Sequence, residues 1–196
     1  MRKFFIAALL LTPVAALGQA VDPARGIVQS LDDGLLSIMK SGKAAGVAGR
    51  ATRIGPVVDR AFDLPLMTRL VVGPSWNGMA HADQTSLIAA FRSMTISQYA
   101  RNFDSWSGES FTIAPQVEER AGDKLVRTTF AGAGTPVAIS YRLRQSGGQW
   151  KIIDVFYNNA ISQLATRRAD FAGVLAAGGP KALVEHLDRL AQKAGG

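Results

Sequence analysis

After Ser107-Gly108 the spacing of apolar residues changes from helical to twofold. It stays twofold through four consecutive runs, at about 110–119, 124–132, 136–145 and 149–158. Turns at Ala121-Gly122-Asp123, Gly132-Ala133-Gly134 and Gly147-Gly148 separate them. Connections this short join antiparallel neighbours, so the runs are expected to form a four-stranded antiparallel meander. The last hairpin, ISYRLRQSGGQWKIIDVFYNN (139–159), is unusual because its second arm is apolar on both faces. A half-exposed strand carries one polar face, so both faces of this arm must be covered. Pairing across Gly147-Gly148 sets Trp150 opposite Gln145, Ile152 opposite Leu143 and Asp154 opposite Tyr141. Alternation then places Ile139, Tyr141, Leu143, Trp150, Ile152, Asp154 and Phe156 on one face. Ser140, Arg142, Arg144, Lys151, Ile153, Val155 and Tyr157 take the other.

Helical patterns lie on both sides of this sheet. Asp22-Pro23 reads as a cap and first turn, followed by Ile27, Val28, Leu31, Leu35, Ile38 and Met39 at helical spacing. A second stretch covers about 48–62, where Pro56 either distorts the helix or marks its start. Asp63 is expected to cap a short helix, LPLMTRLVV, closed by Gly73-Pro74. Asp83 is expected to cap a long helix over about 84–105. Beyond the sheet, helices are expected at about 160–176 and 180–193, split at Gly178-Gly179-Pro180. Helices, then a sheet, then helices make one α+β domain.

Residues 1–20 read as a signal peptide: Arg2 and Lys3, an apolar run, then Gly18-Gln19-Ala20 before a cut. The mature chain is then 21–196. Losing Arg2 and Lys3 lowers the formal net charge from +7 to +5. That mild basicity fits an anionic membrane surface or an acidic partner. It does not suit nucleic acid, because after cleavage Arg167-Arg168 is the only adjacent basic pair. Without cysteine, neither disulfides nor thiolate catalysis is possible.

Few residues offer chemistry. His81 and His186 belong to no cluster with metal-ligand spacing, so no metal is expected. No Gly-x-Ser-x-Gly elbow and no phosphate-binding glycine loop occurs. Asp154 has two readings. A carboxylate on an apolar face can have a raised pKa and act as a base, making the chain a small-molecule isomerase or hydrolase. Alternatively, it accepts hydrogen bonds from backbone N–H groups or from Arg167 or Arg168, and pins the following helix to the sheet. The apolar residues are equally two-sided. Phe62, Leu66, Leu70, Phe91, Met94, Tyr99, Phe103, Phe111, Phe130 and Tyr157 are either ordinary core or the lining of a cavity between a bent sheet and its helices. On the strands, Ile139, Tyr141, Trp150, Ile152 and Val155 face the same choice.

Four segments, in order, resemble the MlaC, or toluene-tolerance, family of periplasmic lipid-binding proteins. FDLPLMTRLVVGPSW (62–76) resembles its Phe-Asp-x-x-x-Met … Gly-x-x-Trp segment, and AAFRSMTISQYARNF (89–103) resembles the helix after it. GGQWKIIDV (147–155) resembles its Gly-x-Trp-Lys-Val-x-Asp-Val strand. Arg168-Ala-Asp-Phe171 with Gly178-Gly179 and Leu183 resembles its ending. FDLP, VGPSW and NFDSWSG are most similar to the hopanoid-associated HpnM branch. The phospholipid carriers read Phe-Asp-Phe where this chain has Phe62-Asp63-Leu64-Pro65.

The resemblance implies helices packed on a strongly bent antiparallel sheet, like that of nuclear transport factor, with an apolar cavity between them. It implies a non-enzymatic shuttle that carries phospholipid or hopanoid-type lipid across the periplasm, without a cofactor. Its partners would be membrane-bound lipid-transport complexes: an outer-membrane lipoprotein–porin complex and an inner-membrane ABC transporter for phospholipid, or a resistance-nodulation-division-type exporter for hopanoid. Asp63, Asp154 and Arg168 would then serve structure.

Overall fold

A computed structural model describes residues 21–193. The proposed signal peptide, 1–20, lies outside them.

The chain starts with α1 (Pro23–Ser41). The Asp22 carboxylate accepts the Ala24 N–H at 2.9 Å, satisfying one of the free donors of the first turn. Gly42, at φ +64°, ends the helix and returns its N–H to Met39 O. α2 (Gly46–Ala61) runs through Pro56 without stopping, so Pro56 does not mark the start of this helix. α3 (Leu64–Val72) is capped by Asp63, which accepts the Leu66 N–H at 3.0 Å, and a 3-10 segment (Gly73–Gly78) follows it. α4 (His81–Asn102) begins three residues earlier than the sequence suggests. Ala80 holds the cap position. Asp83 lies inside the first turn, where its charge still favours the helix N-terminus.

The sheet is an antiparallel meander in the order β1 (Ser110–Arg120), β2 (Asp123–Ala131), β3 (Val137–Ser146), β4 (Gln149–Tyr157), β5 (Ile161–Ser162). It has five strands rather than four, since the chain after Tyr157 turns back and pairs Ile161 with it. The first irregularity falls between Ile113 and Val117, on the edge strand and around Pro115, whose missing N–H suits that place. The second falls between Arg142 and Leu143, opposite an extra residue on β4, Ile153. Each bulge bends its strand and raises the local twist.

The second bulge changes which face each β4 residue occupies. Trp150 pairs with Gln145 and Ile152 with Leu143, as expected. Asp154, however, pairs with Arg142 rather than Tyr141, and Val155 takes the place opposite Tyr141. Val155 and Tyr157 thus join the helix-covered face, while Asp154 and Phe156 share the outer face with Arg142 and Ser140.

α5 (Gln163–Lys193) is two helical segments meeting at Gly179, whose φ of +66° breaks the helical path. It packs chiefly on α4 and α3. α1 and α2 cover the other part of the sheet, with Val28, Leu31, Leu35, Ile38 and Ile54 wholly buried against Leu143 and Ile152.

Candidate functional site

Between α3, α4, α5 and β4 lies a cavity of about 400 Å³. It falls within the range of small-ligand sites, about 300–1,000 Å³. Its walls come from four places. Phe62 and Met67 stand at the start of α3 and within it. Phe91, Met94, Thr95 and Tyr99 come from successive turns of α4, with Phe103 just beyond. Val155 and Tyr157 project from β4, and Leu164, Phe171 and Leu190 from α5. The i, i+4 spacing of Phe91, Thr95, Tyr99 and Phe103 places them on one face of α4, aimed at the sheet.

The aromatic rings form a chain along this wall. Phe62 and Tyr99 lie 5.9 Å apart between centroids, Tyr99 and Phe103 6.0 Å, and Phe103 and Phe130 5.9 Å. Phe111 stacks against Phe130 at 4.7 Å. Such distances suit offset or edge contacts between rings. Burial raises the Tyr99 hydroxyl pKa well above the usual phenol range, so Tyr99 presents a neutral O–H.

The sequence-derived candidates divide. Phe62, Phe91, Met94, Tyr99, Phe103, Val155 and Tyr157 line the cavity. Phe111 and Phe130 stand behind Phe103 at the β1–β2 end. Ile139, Tyr141 and Ile152 are core residues of the covered sheet face. Leu66 and Leu70 are half-buried and do not line the cavity, to which α3 contributes Met67 instead. Trp150 is half-buried, with the Lys124 ammonium 4.7 Å from its ring. Met67, Leu164, Phe171 and Leu190 were not among the candidates. Leu164 and Phe171 do carry the apolar spacing of the predicted helix, a signal available in the sequence.

Asp154 is buried and its oxygens are occupied. Oδ1 accepts from Leu164 N at 3.0 Å and from its own neighbour Val155 N at 2.8 Å; Oδ2 accepts from Ser162 Oγ at 2.6 Å. These bonds tie the first turn of α5 to β4, and neither Arg167 nor Arg168 takes part. Asp63 adds a second tie, because its own N–H donates to Ile152 O at 2.9 Å on the free edge of β4. Arg168 is exposed, with its guanidinium laid over Gly73. A Cβ at Gly73 would stand 3.2 Å from Arg168 Nη2, so the guanidinium would have to shift by a few tenths of an ångström; the φ of +72° is the stronger reason for glycine there.

Two polar residues have places that the sequence reading does not assign them. Asp32, on α1, is fully buried. Its Oδ1 accepts weakly from Tyr141 Oη at 3.4 Å and its Oδ2 has no partner. Burial raises its pKa to about 7. Arg167 lines the cavity and donates from Nη2 to Gln98 Oε1 at 2.6 Å. Among the described residues no group of three or more His, Asp or Glu side chains could hold a metal. No helix of the described residues is long and apolar enough to cross a membrane.

A family model described as "MlaC protein" matches residues 29–189. Among solved structures, the chain is similar to a phospholipid-binding protein from Ralstonia solanacearum, determined in complex with a phospholipid. The two are 25% identical, with a TM-score of 0.73, over 88% of this chain and 99% of that one. No curated protein matches the sequence.

Proposed function

Because the chain belongs to the MlaC family, we propose that it is a periplasmic lipid carrier that holds acyl chains in the cavity between α3, α4, α5 and β4 and moves them between membranes. The observation that carries this reading is the cavity itself, lined by Phe62, Phe91, Met94, Tyr99, Phe103, Val155 and Tyr157, in a fold shared with a protein that has a phospholipid bound. Burying about ten methylenes is worth about 8 kcal/mol, at roughly 0.8 kcal/mol for each. An acyl chain therefore gains strongly by leaving water, and no catalytic group is needed. Apolar walls discriminate poorly between chain types, so the carrier accepts a class of lipids, phospholipid or hopanoid-type.

The chain acts without enzymatic turnover. Asp154, the residue most suited by type to serve as a base, already has its oxygens hydrogen-bonded, and it sits outside the cavity lining. Asp63, Asp154 and Arg168 hold the walls in place instead. Residues 1–20 direct export, and the carrier exchanges lipid with membrane-bound transport complexes.

The test is native mass spectrometry of the exported protein, with organic extraction of what it carries. One bound lipid per chain is expected, and its mass tells phospholipid from hopanoid. Protein that is empty both as purified and after incubation with vesicles would overturn the reading.

A further inference from the structure

The cavity is not uniformly apolar. Arg167 reaches into it from α5, and its guanidinium stands 5.4 Å from the Phe91 ring. Nη2 donates to Gln98 Oε1, and Nη1 points at the Met94 sulfur, a weak acceptor. Both acceptors are neutral. Among the described residues no carboxylate lies within ion-pair distance of Arg167, although six ion-pair contacts form elsewhere. Asp170, on the next turn, also lines the cavity, but it is exposed, makes no ion pair with Arg167 and acts on it only at longer range. Arg167 is half-buried, and desolvation lowers its pKa; an arginine drawn away from water normally has an anionic partner, because leaving the charge uncompensated is costly. Of its five N–H donors, two are directed at neutral atoms. Gln98, Asn102 and Thr166 make the surrounding wall polar.

We propose that Arg167 is the anchor for an oxyanion on the ligand, a carboxylate or phosphate at the end of an acyl chain, so that the cavity selects acidic amphiphiles over neutral ones. The selection rests on the acyl-binding reading above and adds a polar end to it. The chain enters among Phe62, Phe91 and Tyr99, while the acid group meets the guanidinium beside Gln98. Arg is suited to this, since its planar fork binds carboxylate and phosphate bidentately.

The test uses two pairs of ligands that differ chiefly in the acid group: oleate against methyl oleate, and 1-oleoyl lysophosphatidic acid against monooleoylglycerol. Binding is measured by displacement of a fluorescent acyl probe from the mature chain. Wild-type protein is expected to favour the acid of at least one pair by about tenfold or more, as charge-assisted hydrogen bonds allow. A preference in the first pair alone points to free fatty acid, and one in the second to a headgroup phosphate. Arg167→Met should erase the preference by weakening the acids far more than the neutral ligands; Arg167→Lys should keep part of it. Equal binding of acid and neutral ligands by wild type would overturn the proposal, as would an Arg167→Met variant that weakens all four alike. If no acyl ligand binds, the carrier reading itself fails and the anchor falls with it. Should Arg167→Met not fold, the wild-type preference still decides.

Discussion

The interior has two halves built from similar residues. One is solid: Val28, Leu31, Leu35 and Ile38 of α1 meet Ile54, Leu143 and Ile152 at 0–1% exposure. The other is hollow, with a cavity between α4, α5 and β4. What differs is how the walls are held. In the solid half, side chains of opposite walls touch and support each other. In the hollow half, the walls are tied outside the cavity, by Asp154 to Leu164 and by the Asp63 N–H to Ile152 O. Hydrogen bonds at the margin, with the Arg167–Gln98 bond that joins α5 to α4, hold the walls where apolar side chains do not fill the space between them. An apolar composition alone does not make a pocket; fixed walls do.

Truncation should separate the halves most sharply. Leu143→Ala removes a wholly buried side chain from the solid half and should cost about 2–5 kcal/mol of unfolding free energy. Leu190→Ala on the cavity wall should cost about 1 kcal/mol, because space already lies beside it. Urea denaturation of both variants checks this, and equal costs would abolish the distinction between the halves.

The ties come next in size. Asp154→Ala leaves Leu164 N, Val155 N and the Ser162 hydroxyl without their acceptor, at a cost of about 3 kcal/mol. Lipid bound per folded molecule should stay constant while the melting temperature falls. Loss of binding at full stability would instead make Asp154 part of the lipid site.

The solid half holds a buried carboxyl that works against folding once it ionises. Burial pushes the Asp32 carboxyl up to about 7 in the fold, from an ordinary value of 3.8. The folded state therefore binds the extra proton, and this group's contribution to stability is lost as pH rises from about 4 to about 7. Asp32→Asn still offers Tyr141 an acceptor and cannot ionise. Above pH 7 it should be more stable than wild type by about 2 kcal/mol, roughly half the effect of the shifted pKa, since the amide is also buried and incompletely bonded. Below pH 4 the order should reverse, with wild type the more stable by about 2 kcal/mol, because the protonated carboxyl then keeps the whole linkage contribution of about 4 kcal/mol. Thermal melts across this range test the sign, and a parallel pair of curves would show that Asp32 stays charged in the fold.

Much of the frame was legible because it rests on local chemistry. Asp22, Asp63, Gly73 and Gly179 each mark a helix boundary through a cap bond or a positive φ, and both follow from residue type. The bulge at Ile153 left no trace, because Ile152 and Ile153 are both apolar and no polar residue marks the slipped alternation. That one residue moved Asp154 and Val155 to opposite faces. Cavity lining was legible on α4, where four turns repeat the spacing, but not on α3, where nine residues give the period too little length to tell Met67 from Leu66 and Leu70. Nothing in the sequence reading marks Asp32 as buried, and Arg167 enters it only as a partner for Asp154 and as half of an adjacent basic pair. Their spacing said otherwise: Asp32 is four after Val28 and three before Leu35, and Arg167 is three after Leu164 and four before Phe171.

The smallest effect on stability should accompany the largest effect on binding. Leu164→Trp places a bulkier side chain where the cavity already offers room, and keeps the backbone N–H that donates to Asp154. Its unfolding free energy should stay within about 1 kcal/mol of wild type, since filling space is far cheaper than overpacking a dense core. The same indole removes volume that an acyl chain needs, and losing about two methylenes of contact should weaken lipid binding by about tenfold. Denaturation and probe displacement on one preparation give both numbers. A Trp variant that is much less stable would mean that this half is packed after all, and one that binds lipid as well as wild type would place the chain elsewhere in the molecule.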